Sequence, residues 1–340
     1  MNIFTIIYGI LAIMILATVH EFGHFLAAKF SGIAVDEFSI GFGPAVYQKK
    51  SRGTLYKICA IPILGYVRIR GQEGNFDAPD GYFKKSLWSR FITVFSGPLM
   101  NFIVAIVIFT FVFSFFGNPF LQTTTLSSFI KDSPAVSAGF KIGDKIIEID
   151  GKEMTKWDEI TDTIRNSEGK TLNVIVERNG NQVSLKVIPE KDKISGVWMI
   201  GAYSSNVKEP FFMSIWEGIK WTGTLLYRMF ILIPMLFTKQ GLGSLVGPIG
   251  IVAMTSQAAS GGFANFMWFM AFISIALGFT NLLPIPALDG SWIVLVIWEA
   301  VTRKPVPPEK QASVQGAGFV FILGVMVLVS LRDILRLIGR

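Results

Sequence analysis

Histidine is nearly missing from this chain: there are two in 340 residues. The single cysteine, Cys59, excludes an intramolecular disulfide and any cysteine-rich metal site. Charge is scarce as well. Asp, Glu, Lys and Arg make up 16% of the residues against 51% hydrophobic, with a mean hydropathy of +0.52, which is the composition of a membrane protein. The formal charge of +7 is concentrated near apolar runs and no recognition motif accompanies it, so nucleic acid is not an expected partner. No Lys or Arg precedes the first apolar run and no small-residue cleavage site closes it. That run therefore reads as a retained span, not a secretory signal peptide.

Both histidines fall in one pentapeptide, His20-Glu21-Phe22-Gly23-His24, inside that run. Helical positions four apart stack on one face, so the two imidazoles can grip one metal ion, with Glu21 beside them to take a proton from water. No charged residue occurs from Asn2 to Val19, so the helix carrying the motif is read as a membrane span over about Ile3 to Phe30. Ionisable groups in such a helix are expensive and functional by default. The reading is a zinc site within the bilayer.

The block from Ser31 to Arg90 carries most of the early basic residues, which assigns it to the cytoplasmic side. Within it Phe38–Gly43, Tyr56–Ile61 and Gly65–Gly71 read as short strands between turn signals. A second span is expected from about Phe91 to Phe116, closing an N-terminal membrane part over residues 1–118. Pro98 and Asn101 within it suggest packing against a partner helix or a polar cavity, and packing is the reading taken.

Residues 123–203 have the composition of a soluble domain. Asn179-Gly180 lies between two β-favouring runs, a strong hairpin signal, and Trp157 to Asn166 reads as a short helix. With Ser133-Pro134-Ala135, Ala138-Gly139-Phe140 and Gly143-Asp144-Lys145 in order upstream, the segment resembles a PDZ domain of the bacterial permuted type. The resemblance implies a groove between the strand near Leu126–Ile130 and the helix near Trp157–Asn166, open to a peptide or C-terminus. Residues 211–237 read as an amphipathic helix lying in the interface, with Ser214, Glu217, Lys220, Thr224 and Arg228 on one face.

The C-terminal membrane part, 263–340, begins with an apolar run to about Glu299 broken by Pro284 and Pro286, with Asp289 as its sole charge before Glu299. A fourth span follows over roughly Ser313 to Leu331, trailed by Arg332, Arg336 and Arg340. Four spans with Ser31–Arg90 inside put both termini and the soluble domain outside. Two histidines leave a zinc site short of a third protein ligand, and Asp289 is the best candidate because its burial is otherwise unaccounted for. Asn281 is the polar residue best placed to help a developing oxyanion. A helix–helix hydrogen bond is its other reading.

Taken together, His20-Glu21-Phe22-Gly23-His24, the Gly41-Phe42-Gly43 region, Gly97-Pro98-Leu99-Met100-Asn101, the one PDZ-like segment, Gly247-Pro248-Ile249-Gly250-Ile251 and the stretch Asn281 to Gly290 resemble the site-2 protease family. The likeness is to the RseP-like group of bacterial intramembrane zinc metalloproteases (peptidase M50). It implies an α-helical polytopic membrane protein of about four transmembrane helices, with a membrane-associated β-element and an inserted α+β PDZ domain. It implies His20, His24 and Asp289 as zinc ligands, Glu21 as general base and Asn281 as a contact to substrate or intermediate. It further implies a β-element around Gly41–Gly71 that dips into the membrane and pairs with an unwound substrate. The expected setting is the bacterial inner membrane, with the PDZ domain extracytoplasmic. Expected partners are the lipid bilayer and single-span proteins already trimmed outside, such as anti-sigma factors or remnant signal peptides. Having one PDZ domain, the chain departs from two-PDZ members of the group. A non-proteolytic zinc-binding membrane protein and a PDZ scaffold are the alternatives.

Overall fold

The computed structural model describes residues 3–72, 74–192, 196–238, 241 and 246–337. Among these, four helices are long and apolar enough to cross a membrane: Ile7–Phe30, Leu87–Phe115, Phe263–Asn281 and Pro308–Leu335. Two compact units result, one made of Met1–Thr110 with Ile215–Arg340, the other of Phe111–Ser214. Of the basic residues after the fourth span, Arg340 lies outside the described residues.

In the first unit, helix α1 (Ile3–Phe30) is followed by the long strands β1 (Val35–Ser51) and β2 (Thr54–Ile69). The three short strands expected from the sequence fall in these two, the third ending at Ile69 instead of Gly71. β2 folds over, so that Val35–Ile40 lies between two of its segments: Phe38 partners both Val67 and Tyr56, and Ile40 both Gly65 and Ile58. β2 turns back near Leu64, at φ +63°, and the partner β1 bends at Gly41 and Gly43, at φ +79° and +91°, backbone conformations that a side chain disfavours. The outer part of this β-element bears exposed Phe42, Val46, Tyr47, Ile58, Ile61 and Leu64.

Helix α2 (Leu87–Phe115) comes next, and the second unit is inserted after it, with the helices α3 (Pro134–Ser137) and α4 (Trp157–Asn166). After the insertion come α5 (Phe211–Leu232), α6 (Pro248–Ser260), α7 (Phe263–Asn281), α8 (Asp289–Thr302) and α9 (Pro308–Leu337). The run read from sequence as one span to Glu299 is therefore two helices. α7 ends at Asn281, and Leu282–Leu288, with its two prolines and Ala287 at φ +75°, turns the chain before α8 starts. Helix α5 buries Gly218 and Thr222, with Gly218 against the carbonyl of Ile106 on α2, and leaves Phe212, Trp216, Tyr227 and Phe230 exposed. Small residues thus let α5 approach α2 closely, and α5 is not among the four helices of membrane-crossing length and composition. The far end of α8 is fastened by Glu299, whose carboxylate is 2.8 Å from the Arg90 guanidinium at the start of α2. Arg90 in turn lies over the rings of Tyr82 and Phe83 at 5.2 and 5.1 Å, and Tyr82 meets Trp292 of α8 edge-on.

The strands of the second unit are β3 (Asn118–Phe129), β4 (Lys145–Ile149), β5 (Lys152–Glu153), β6 (Leu172–Arg178), β7 (Asn181–Val187), β8 (Glu190–Lys191), β9 (Trp198–Met199) and β10 (Ala202–Val207). The main sheet runs in the order β10-β3-β4-β6-β7, with β5 paired to β4, while β8 and β9 pair with each other. Asn179 and Gly180, both at positive φ, close the β6–β7 hairpin as expected. The core gathers Leu126, Ile146, Ile149, Ile160, Val174 and Val176. One expectation is corrected: β3 does not form the edge of a groove with α4. β10 pairs along β3 and takes the outer place, so the surface concavity beside α4 is lined by Trp198–Tyr203 together with Ile130, Trp157, Thr161 and Arg165. Strand order departs from sequence order, so the outer strand is β10 and not the strand that the PDZ resemblance implies.

Candidate active site

His20 and His24 project from one face of α1, as a spacing of four requires, and both are buried. Their Nε2 atoms are 3.2 Å apart. Asp289, the first residue of α8, brings Oδ2 to 3.0 Å from His20 Nε2 and 3.3 Å from His24 Nε2. Two imidazole nitrogens and one carboxylate oxygen so converge within 4.8 Å of one another, the donor set of a zinc site that keeps a fourth position for chemistry.

The convergence depends on close helix packing and on a fastened loop. Gly23 lies against the carbonyl of Ser96 on α2, and the Ser96 hydroxyl donates to the Gly23 carbonyl at 2.9 Å. Gly97, one residue on, faces the His24 ring so closely that a Cβ would collide with the imidazole. The His24 Nδ1–H donates to the Thr93 carbonyl at 2.8 Å, which leaves Nε2 free for the site. Asp289 is delivered by the loop after α7. Gln315 of α9 accepts from the Ala287 N–H and from the Ser291 hydroxyl at 3.0 Å, fastening both sides of Asp289.

Glu21 points into the same cavity, where its Oε2 accepts the backbone N–H of Val67 at 3.0 Å. That donor belongs to the outermost segment of the folded-over β2, which pairs on its other side with Val35–Ile40. The cavity measures about 470 Å³ and is lined by His20, Glu21, His24, Asn281 and Asp289, with Leu64, Gly65 and Val67 on one wall. Asn281, at the end of α7, has its amide nitrogen 3.4 Å from His20 Nε2. All five residues singled out from sequence thus share one cavity. Sequence reasoning missed Thr93 and Gln315, gave Gly97 and Val67 no part at the site although both lie in stretches it singled out, and gave Asn101 a packing role although its amide reaches the His20 ring. The spacing of four that links residues 93, 97 and 101 matches that of the histidines and is the signal that marks the α2 residues. For Gln315 there is none.

A family model described as peptidase family M50 matches residues 8–325. A protein of Clostridium acetobutylicum whose name assigns it provisionally to the zinc metalloproteases is 34% identical over 98% of both chains. Zinc metalloprotease RasP of Bacillus licheniformis is 30% identical over 98% of this chain and 99% of its own. Among solved structures, the PDZ domain of the SdrC-like protein from Listeria innocua is 22% identical, covering 26% of this chain and all of its own at a TM-score of 0.23.

Proposed function

Because the chain belongs to peptidase family M50 and is a membrane zinc metalloprotease of the site-2 type, we propose that it cleaves peptide bonds within the membrane-spanning segments of single-span proteins. The observation that carries this reading is the meeting of His20 and His24, on a helix of membrane-crossing character, with Asp289 from the start of α8, and with Glu21 in the same cavity.

In this reading His20, His24 and Asp289 hold zinc, which supplies Lewis acidity and acidifies water. Glu21 takes the proton of the attacking water and passes it to the departing amine nitrogen. Asn281 offers its amide N–H to the oxygen on which charge develops. A helix in lipid hides its peptide bonds in its own hydrogen bonds, so the substrate must unwind. The edge of β2 at Gly65–Ile69, next to Glu21, offers backbone partners to the unwound stretch. The exposed apolar side chains of the β-element suit insertion into lipid. The basic excess in Ser31–Arg90 supports a cytoplasmic location for that block and an extracytoplasmic PDZ-like domain in a bacterial inner membrane. The substrates in this reading are proteins already trimmed outside, of the anti-sigma-factor or remnant-signal-peptide kind.

The test is cleavage of a labelled single-span substrate library in liposomes by wild type, Glu21→Gln and Asp289→Ala, with bound zinc measured on each. Glu21→Gln keeps the metal and loses turnover, while Asp289→Ala loses both. A Glu21→Gln protein that cuts at the wild-type rate removes Glu21 from the mechanism.

A further inference from the structure

An imidazole that presents Nε2 to a metal must carry its ring proton on Nδ1, and a buried N–H there needs an acceptor. His24 meets this condition through the Thr93 carbonyl. For His20 the group within reach of Nδ1 is the side-chain amide of Asn101 on α2, whose Nδ2 is 3.1 Å away. Asn101 is wholly buried, and its Oδ1 is a buried oxygen with no hydrogen-bond partner. Nitrogen and oxygen of a carboxamide have nearly the same shape, and a half-turn about χ2 exchanges them. That one rotation gives the orphaned oxygen a partner and gives Nδ1–H its acceptor.

The backbone around Asn101 is built to hold the amide there. Its carbonyl accepts the Ser274 hydroxyl of α7 at 2.8 Å, and one helical turn earlier Gly97 receives the His24 ring. Thr93, Gly97 and Asn101 form a ladder on α2 at the same spacing of four as the two histidines on α1.

We propose that Asn101 is the positioning residue of His20: its amide oxygen accepts the Nδ1 proton and holds the ring in the tautomer whose Nε2 lone pair faces His24 and Asp289. The inference rests on the reading of His20, His24 and Asp289 as metal ligands. It assigns to a helix-packing asparagine the part that a carboxylate or carbonyl plays behind other metal-binding histidines.

The chain holds only two histidines, so ¹⁵N-histidine labelling reports this site alone. The experiment is ¹⁵N NMR of the full chain in detergent, with and without added zinc. Alongside it, zinc affinity is measured by chelator competition for wild type, Asn101→Leu and Asn101→Asp, and melting is recorded for the zinc-free proteins. The expected result is that both wild-type rings with zinc carry the proton on Nδ1. Asn101→Leu binds zinc roughly 10–100-fold more weakly, as when other outer-shell partners are removed. Asn101→Asp, which keeps an acceptor, recovers most of that loss, a rescue that a packing role does not predict. If wild type binds zinc and Asn101→Leu binds it equally well, the inference is overturned and the metal site stands. A zinc-loaded wild-type His20 ring with its proton on Nε2 overturns it equally, and that measurement needs no variant. If wild type takes no zinc at all, the metal reading falls and this inference with it.

Discussion

Removing Glu299 tests how α8, the helix that carries Asp289, is held. Glu299 lies ten residues beyond Asp289 on α8, about 15 Å along the axis, and binds Arg90 at 2.8 Å. The Arg90 side chain is 4% exposed and that of Glu299 is 21%. Taking away one partner of such a pair leaves a buried charge uncompensated, at a cost of about 3–5 kcal/mol. The rings of Tyr82 and Phe83 flank the guanidinium before and after the change, so they cancel in the comparison and Glu299→Leu should cost about 3 kcal/mol. Arg90→Met leaves a carboxylate with some access to water and should cost less, about 2 kcal/mol including the lost ring contacts. The double variant buries no charge and should cost about 1 kcal/mol, which makes the coupling between the two sites about 4 kcal/mol. The assay is a double-mutant cycle on denaturant unfolding of the full chain in one detergent. Additive costs, with coupling under about 0.5 kcal/mol, would refute the reasoning.

Two further outcomes follow from the packing. Gly97→Ala should cost about 1–3 kcal/mol of stability through overpacking and abolish zinc retention by displacing the His24 ring. Gly324→Ala, which meets nothing within 4 Å, should keep zinc, and metal content with melting temperature on both separates the cases. In the inserted domain, burial pushes the Asp144 carboxyl up, but the Arg178 guanidinium at 2.7 Å and the Lys141 N–H outweigh it and hold it below the ordinary carboxylate range. Its folded value lies below its unfolded one. The stabilisation is therefore complete above the unfolded value of about 4 and is lost as pH falls through the folded value. Domain melting followed by circular dichroism should drop over that acid range in wild type and much less in Asp144→Asn.

The residues of the site were legible because each breaks a rule of its surroundings. Histidines and a glutamate stand in a charge-free span, and an aspartate follows two prolines in another apolar run. What stayed hidden depends on which elements meet. Asn101 is 81 positions from His20, and its side chain resembles any polar residue that packs two helices. The end of α7 was obscured because apolar residues continue through Leu282, Leu283 and Ile285, while the backbone there is a turn. The groove that the PDZ resemblance implies at Leu126–Ile130 lies elsewhere because a resemblance carried by motif order does not say which strand takes the outer place, and β10 returns across the domain to pair with β3. The tether from Gln315 needs a contact between α9 and a loop that no local pattern announces.

The matched ladders on α1 and α2 also bear on how a bilayer can influence the site. Sliding one helix along the other by less than a turn, about 5.4 Å, takes the Thr93 carbonyl from His24 and the Asn101 amide from His20 together. Each buried imidazole N–H left without an acceptor costs about 1–3 kcal/mol. With Asn101 in the role proposed for it, the two histidines therefore depend on one and the same alignment of α1 with α2, and a displacement along the pair costs both rings their acceptors at once.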